Sequence, residues 1–68
     1  MKTILDFNRI PLRDHCVRIG LRPSILLYEL IIKEHSGILN KHDSIRLSEW
    51  RMEFNNEADA IVYKLRFG

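Results

Sequence analysis

The strongest constraint in this sequence lies near its C-terminal end, where an alternating segment runs directly into a capped helix. Trp50, Met52 and Phe54 alternate with polar residues, and this period of two places large apolar side chains on one face of a strand. A face of this kind has to be covered by another layer of structure. The segment therefore predicts a strand over residues 49–54 that packs against a helix.

Residues 56–67 predict that helix. Asn55 or Asn56 is a suitable N-cap, acidic residues occupy the first turn and basic residues the last, and Gly68 is a candidate C-cap. One apolar stripe follows the i, i+3, i+4, i+7 spacing and consists of Ala58, Ile61, Val62 and Leu65. We expect this stripe to pack onto the strand face that carries Trp50.

The upstream sequence predicts one further strand and two further helices. Alternation in residues 3–7 indicates a short N-terminal strand, and residues 23–35 form a strongly apolar central helix that begins at Arg22-Pro23-Ser24. Residues 12–20 fit both a helix and a strand, but Pro11 and Gly20 favour a helix between them.

The segment between the central helix and the last strand predicts little regular structure. Residues 38–44 read as a polar loop, and a bulge near Ser48 would bring Ile45 and Leu47 into phase with Trp50. Alternatively, Ile45 and Leu47 only anchor the end of the loop. The predicted fold is a single small α+β domain over residues 1–68, with the central and C-terminal helices packed on a short β-sheet.

Composition narrows the class of protein. A chain of 68 residues is near the size at which one core just outweighs chain entropy. Its single cysteine, Cys16, cannot form an intramolecular disulfide, which favours a reducing compartment. The apolar runs are too short for a signal peptide or a membrane span, so we expect a soluble intracellular protein that does not bind membranes.

The residues that carry chemistry are scattered. The spacing of His15, Cys16, His35 and His42 matches no zinc signature. The three glycines are too far apart to form a phosphate-binding loop, and no motif around Cys16 resembles a catalytic cysteine. We therefore expect no enzyme activity, no metal, no cofactor and no small-molecule ligand.

The central helix is the first candidate for a partner-binding element. Apolar residues cover most of its circumference, and a domain of this size has few residues with which to bury them all. We predict that Leu27, Tyr28 and Ile31 contact a protein partner or a second copy of the chain. For Trp50, packing in the core is the favoured interpretation.

The alternative is a small nucleic-acid-binding regulator. Residues 1–22 carry an excess of positive charge, and residues 12–35 partly fit a helix-turn-helix with its turn at Ile19-Gly20-Leu21. The fit is partial because His15 and Glu29 fall where apolar residues are expected. The basic residues that would contact nucleic acid are Arg9, Arg13, Arg18 and Arg22.

The C-terminal segment also suggests a source. The residues from Phe54 to Ala60, and Tyr63-Lys64-Leu65-Arg66-Phe67-Gly68 after them, resemble the ends of small uncharacterised tailed-phage proteins. The resemblance covers under a quarter of the chain and transfers no active-site residue. It implies either a virion or assembly component or a host-takeover factor, located in the virion or the host cytoplasm.

Overall fold

A computed structural model describes residues 1–67 as an α+β domain with three helices and a three-stranded sheet. The strands are β1 (Thr3–Asp6), β2 (Gly37–Asn40) and β3 (Arg51–Phe54). The helices are α1 (Arg9–Arg18), α2 (Ile25–Glu34) and α3 (Glu57–Phe67), and a 3₁₀ turn covers Leu47–Glu49. The predicted fold class is confirmed. Gly68, the candidate C-cap, lies outside the described residues.

The strand nearest the C-terminus forms the centre of the sheet. The strand order is β1-β3-β2, and β3 pairs antiparallel with both neighbours. Met52 faces Leu5 and Leu39 across the sheet, while Phe54 faces Thr3 and Gly37. The helices cover the face that carries Met52 and Phe54, which places the core between that face and the helices.

The core is almost entirely apolar and combines aromatic with aliphatic side chains. Phe54, Leu12, Ile32 and Cys16 are the largest fully buried side chains. Around them are the other buried residues: Phe7, Tyr28, Ile31, Trp50, Met52, Ala60, Tyr63 and Phe67. The expected core position of Trp50 is confirmed, and its indole Nε1 donates a hydrogen bond to the Ser44 carbonyl oxygen over 2.8 Å.

Side-chain caps begin the helices where the sequence places polar residues. The side-chain oxygens of Asn8, Ser24 and Asn56 accept backbone N–H groups of α1, α2 and α3 respectively. After α1, Gly20 has a φ of 80°, and the Leu21 N–H reaches back to the Cys16 carbonyl at 2.9 Å. This is the Schellman ending that glycine favours. The choice of a helix for residues 12–20 is confirmed.

Two expectations between α2 and β3 are wrong. Of the predicted polar loop over residues 38–44, residues 38–40 belong to β2 instead, because β3 supplies hydrogen-bonding partners that the local sequence does not reveal. The proposed bulge near Ser48 is replaced by the 3₁₀ turn, and β3 starts only at Arg51. Leu47 packs against the core, which fits the alternative in which it anchors the end of the loop, whereas Ile45 is exposed and does not anchor it.

Candidate interaction surface

Helix α3 has apolar residues on two opposite sides. Ala60, Tyr63 and Phe67 are buried against the core, whereas Ile61, Val62 and Leu65 are 48%, 55% and 83% exposed. Ala58 is exposed as well. The expectation that Ala58, Ile61, Val62 and Leu65 pack onto the Trp50 face is therefore wrong. We call these four residues the outward stripe.

The aromatic side of α3 faces the core for a physical reason. The Tyr63 ring lies 5.4 Å from that of Phe54 and 4.9 Å from that of Phe67, measured between centroids. Aromatic side chains bury about 150–250 Å² each and gain further from ring contacts. Burial of the two rings therefore contributes more free energy than burial of the aliphatic stripe would, and the aromatic side of α3 faces the core. The spacing of Ala60, Tyr63 and Phe67 is a second helical stripe that the sequence already contained.

Charged residues separate the two apolar sides of α3. Glu57 and Lys64 are two turns apart on one edge of the helix, and Asp59 and Arg66 are two turns apart on the other. On both edges the acid lies in the first turn and the base in the last turn. This order complements the helix dipole within one chain. It also makes the outward side of α3 acidic at one end and basic at the other.

The residues of α2 selected from the sequence belong mainly to the interior. Tyr28 and Ile31 are buried, and Leu27 is half-buried and packs against the core. The apolar side chains that α2 presents to solvent are instead Leu26 and Leu30, which are 75% and 57% exposed. Their spacing of four residues places them on one face of the helix. Partner contact by Leu27, Tyr28 and Ile31 stays a prediction, and their burial leaves the exposed neighbours as the accessible surface.

The open face of the sheet is mixed in character. Ile4 and Ile38 are exposed and lie on either side of Glu53 in the central strand. The Glu53 carboxylate accepts a hydrogen bond from the Asn40 amide at 2.8 Å and lies 3.8 Å from the Lys2 ammonium. These polar contacts occupy the middle of the face, so its apolar area is divided.

The four arginines of the alternative hypothesis are exposed but do not form a single row. Arg9 and Arg13 share one side of α1, whereas Arg18 is two and a half turns from Arg9 and therefore lies on the opposite side. Asp14 contacts two of them: its carboxylate is 3.6 Å from Arg13, and its carbonyl accepts a hydrogen bond from Arg18. The exposed face of α2 offers Leu26 and Leu30, which cannot donate hydrogen bonds to base edges.

A cleft of about 350 Å³ lies between β1 and α3. Its polar lining includes Asp6, Asn8 and Lys64. The Asp6 carboxylate is 3.1 Å from the Arg51 guanidinium, and Asn8 caps α1. Two of the three groups are therefore already engaged in contacts within the domain.

Tyr63 lines the same cleft with its ring buried. Burial raises the pKa of its phenol from 10.0 to about 12, because the phenolate would lose hydration.

Two of the three histidines, His15 and His35, pack against aromatic rings, and His42 is exposed in the loop after β2. The His15 and His35 rings lie edge-on to Phe67, with centroid distances of 5.2 and 5.3 Å. His35 Nδ1 is hydrogen-bonded to the Ile31 carbonyl at 2.8 Å. Within residues 1–67, no group of three or more His, Cys, Asp or Glu side chains is arranged to hold a metal ion. None of the helices described for this part of the chain is long and apolar enough to cross a membrane.

The chain matches no protein-family model, and no curated protein or solved structure shows significant similarity to it.

Proposed function

We propose that this protein is a non-enzymatic protein–protein interaction module that presents apolar helix faces to its partner. The observation that carries the proposal is the outward stripe of α3, which lies directly opposite the core side of the same helix. A surface helix of a monomeric domain normally has a polar outer face. Apolar residues at helical spacing on that outer face are typical of a helix that packs on both sides.

A second exposed pair supports the same proposal. Leu26 and Leu30 extend from the outer side of α2, where the central helix is not covered by the core. Contiguous apolar surface of this kind marks interaction sites more often than isolated exposed residues do. Ile45 is an isolated case: it is 97% exposed in the loop between β2 and β3, and we assign it no role.

The resemblance of the C-terminal segment to tailed-phage proteins supplies the proposed setting. An interaction module of this size would act either as a virion or assembly component or as a host-takeover factor. Mass spectrometry of purified particles separates these two settings, because a virion component is recovered in fixed stoichiometry and a host-takeover factor is absent from the particle.

Affinity capture of the full chain from its own host context tests the proposal. Val62→Glu with Leu65→Glu alters the outward stripe, and Leu26→Glu with Leu30→Glu alters the α2 pair. Ile45→Glu is the matched control, because it places the same charge at an exposed apolar site outside both faces. We expect a stoichiometric protein complex that one or both double variants lose and the control retains.

Two results would overturn this proposal. One is capture of no protein, neither another chain nor a second copy. The other is binding of duplex DNA or RNA whose affinity falls steeply with salt and is abolished by Arg13→Glu with Arg18→Glu, which would favour the nucleic-acid-binding alternative.

A further inference from the structure

We infer that the outward stripe binds the same stripe of a second copy of this chain, so that two α3 helices pack antiparallel across a two-fold axis. This inference rests on the proposed function and names the partner for one of its two faces. It follows from the order of charges along both edges of α3 and from the order of side-chain sizes within the stripe.

The charges discriminate between the two possible dimers. In an antiparallel pair, each edge of α3 faces the same edge of the other helix in reversed direction. Glu57 then lies near Lys64 of the second copy, and Asp59 lies near Arg66 of the second copy. In a parallel pair, opposite edges meet at the same end, so Glu57 approaches the other Asp59 and Lys64 approaches the other Arg66. Only the antiparallel arrangement brings opposite charges together on both edges, and it also opposes the helix dipoles favourably.

The apolar residues follow the same symmetry. The midpoint of the outward stripe falls between Ile61, which lies towards the Glu57 edge, and Val62, which lies towards the Asp59 edge. A two-fold axis there places Ile61 opposite Ile61 of the other copy and Val62 opposite Val62 of the other copy. The same axis places Ala58 opposite Leu65. A small residue therefore faces Leu65, which is 83% exposed, and the reciprocal contact repeats at the other end. This is the self-complementarity that a two-fold interface requires.

The size of the stripe sets the strength of the interaction. It spans about two helical turns, or roughly 11 Å along α3. Four side chains over this length bury less area than the roughly 800 Å² per partner of a standard interface. The dimer is therefore expected to be reversible, with its population rising with protein concentration.

Sedimentation equilibrium over a concentration series measures the dimer directly. We expect wild-type protein to dimerise and Val62→Glu to be monomeric at every concentration, because two carboxylates would meet at the centre of the interface. Ile45→Glu should dimerise like the wild type. Circular dichroism of each variant confirms that the fold is retained, which is expected since all these positions are exposed.

A charge reversal tests the orientation. Glu57→Lys should raise the dimer dissociation constant about fivefold or more, because two attractive pairs become repulsive. Adding Lys64→Glu to the same chain should restore dimerisation by re-forming the pairs with reversed sign. Both variants lack the acidic residue Glu57 in the first turn of α3. Recovery of dimerisation in the double variant therefore cannot be attributed to a more stable α3 helix. In a parallel dimer, Glu57→Lys would strengthen association, and that result would overturn the inference.

Cross-linking provides an independent measurement. A mixture of an Ala58→Cys chain with a Leu65→Cys chain should form the mixed disulfide on mild oxidation, while either chain alone should not. Wild-type protein is the control for Cys16, which is buried. Disulfides between two Ala58→Cys chains would indicate a parallel pair and contradict the inference.

The outcomes separate this inference from the proposed function. A monomer at all concentrations whose outward stripe is required to capture a different protein overturns the dimer and leaves the interaction module intact. A monomer that captures no protein overturns both.

Discussion

Gly37 lies directly opposite Phe54 in the sheet, and the absence of a side chain at this position lets the Phe54 ring occupy the space above it. A Cβ at position 37 would lie 2.7 Å from Phe54 Cε1 and 2.9 Å from Ile32 Cγ2. Both atoms belong to fully buried side chains. The close approach of α2, β2 and β3 therefore depends on glycine at this position.

We expect Gly37→Ala to lower the free energy of unfolding by about 1–3 kcal/mol, because the added methyl overpacks the core. Denaturant titration measures the change. Phe54→Leu in the same chain should recover part of the loss by removing the ring atoms nearest the new methyl. Gly20→Ala provides the comparison: its position has open space but a φ of 80°, so Phe54→Leu should not improve that variant. Equal effects of Phe54→Leu in both backgrounds would contradict the steric explanation.

Asn56 should contribute to stability as the cap of α3. Its side-chain oxygen accepts the Asp59 N–H at 2.9 Å. Asn56→Ala is expected to lower the free energy of unfolding by about 0.5–2 kcal/mol. Asn55→Ala is the matched control, since it removes the same exposed amide one residue earlier and should change stability by less than about 0.5 kcal/mol. The assignment of the cap fails if Asn55→Ala is the more damaging substitution.

The two apolar sides of α3 should respond differently to truncation. Phe67→Ala removes a buried ring and is expected to cost about 3–5 kcal/mol, enough to unfold much of a domain of this size. Leu65→Ala removes an exposed side chain and should change stability by less than about 0.5 kcal/mol at concentrations low enough to keep the chain monomeric. Thermal unfolding followed by circular dichroism compares them. The opposite order would mean that the outward stripe faces the core.

Alkaline pH should destabilise the fold through Tyr63. Its pKa is raised to about 12 in the folded protein, whereas an exposed tyrosine ionises near 10. Above pH 10 the unfolded chain releases this proton before the folded chain does, so stability falls between pH 10 and pH 12. The loss attributable to Tyr63 is at most about 2.7 kcal/mol.

Tyr63→Phe isolates this contribution, because other groups also titrate in the same range. The difference in unfolding free energy between wild type and Tyr63→Phe should shift in favour of the variant as the pH rises from 10 to 12. A difference that stays constant over this range would contradict a phenol whose ionisation is opposed by burial.

Local sequence signals were sufficient for most of the helices and for two of the three strands. A helix cap and a helix-ending glycine act through hydrogen bonds and backbone angles within a few residues of themselves, so the sequence indicated a cap of α3 at Asn55 or Asn56 and the end of α1 at Gly20. The alternation of Met52 and Phe54 likewise indicates a strand face wherever that strand is placed. The α+β class follows from these elements.

The candidate surface depended on competition between elements, which no local pattern records. The sequence contains two apolar stripes on α3. Tyr63 faces inward because its ring packs on Phe54, and Phe67 because its ring packs against those of His15 and His35. The formation of β2 has the same origin, because Ile38 and Leu39 become a strand only when β3 lies beside them. The sequence by itself determined which segments are helical or extended and which residues cap them. Tertiary structure alone decided which apolar faces are buried and which remain exposed. The core is formed by elements that are distant in the chain, and burial of the larger aromatic side chains contributes more free energy than burial of the aliphatic stripe.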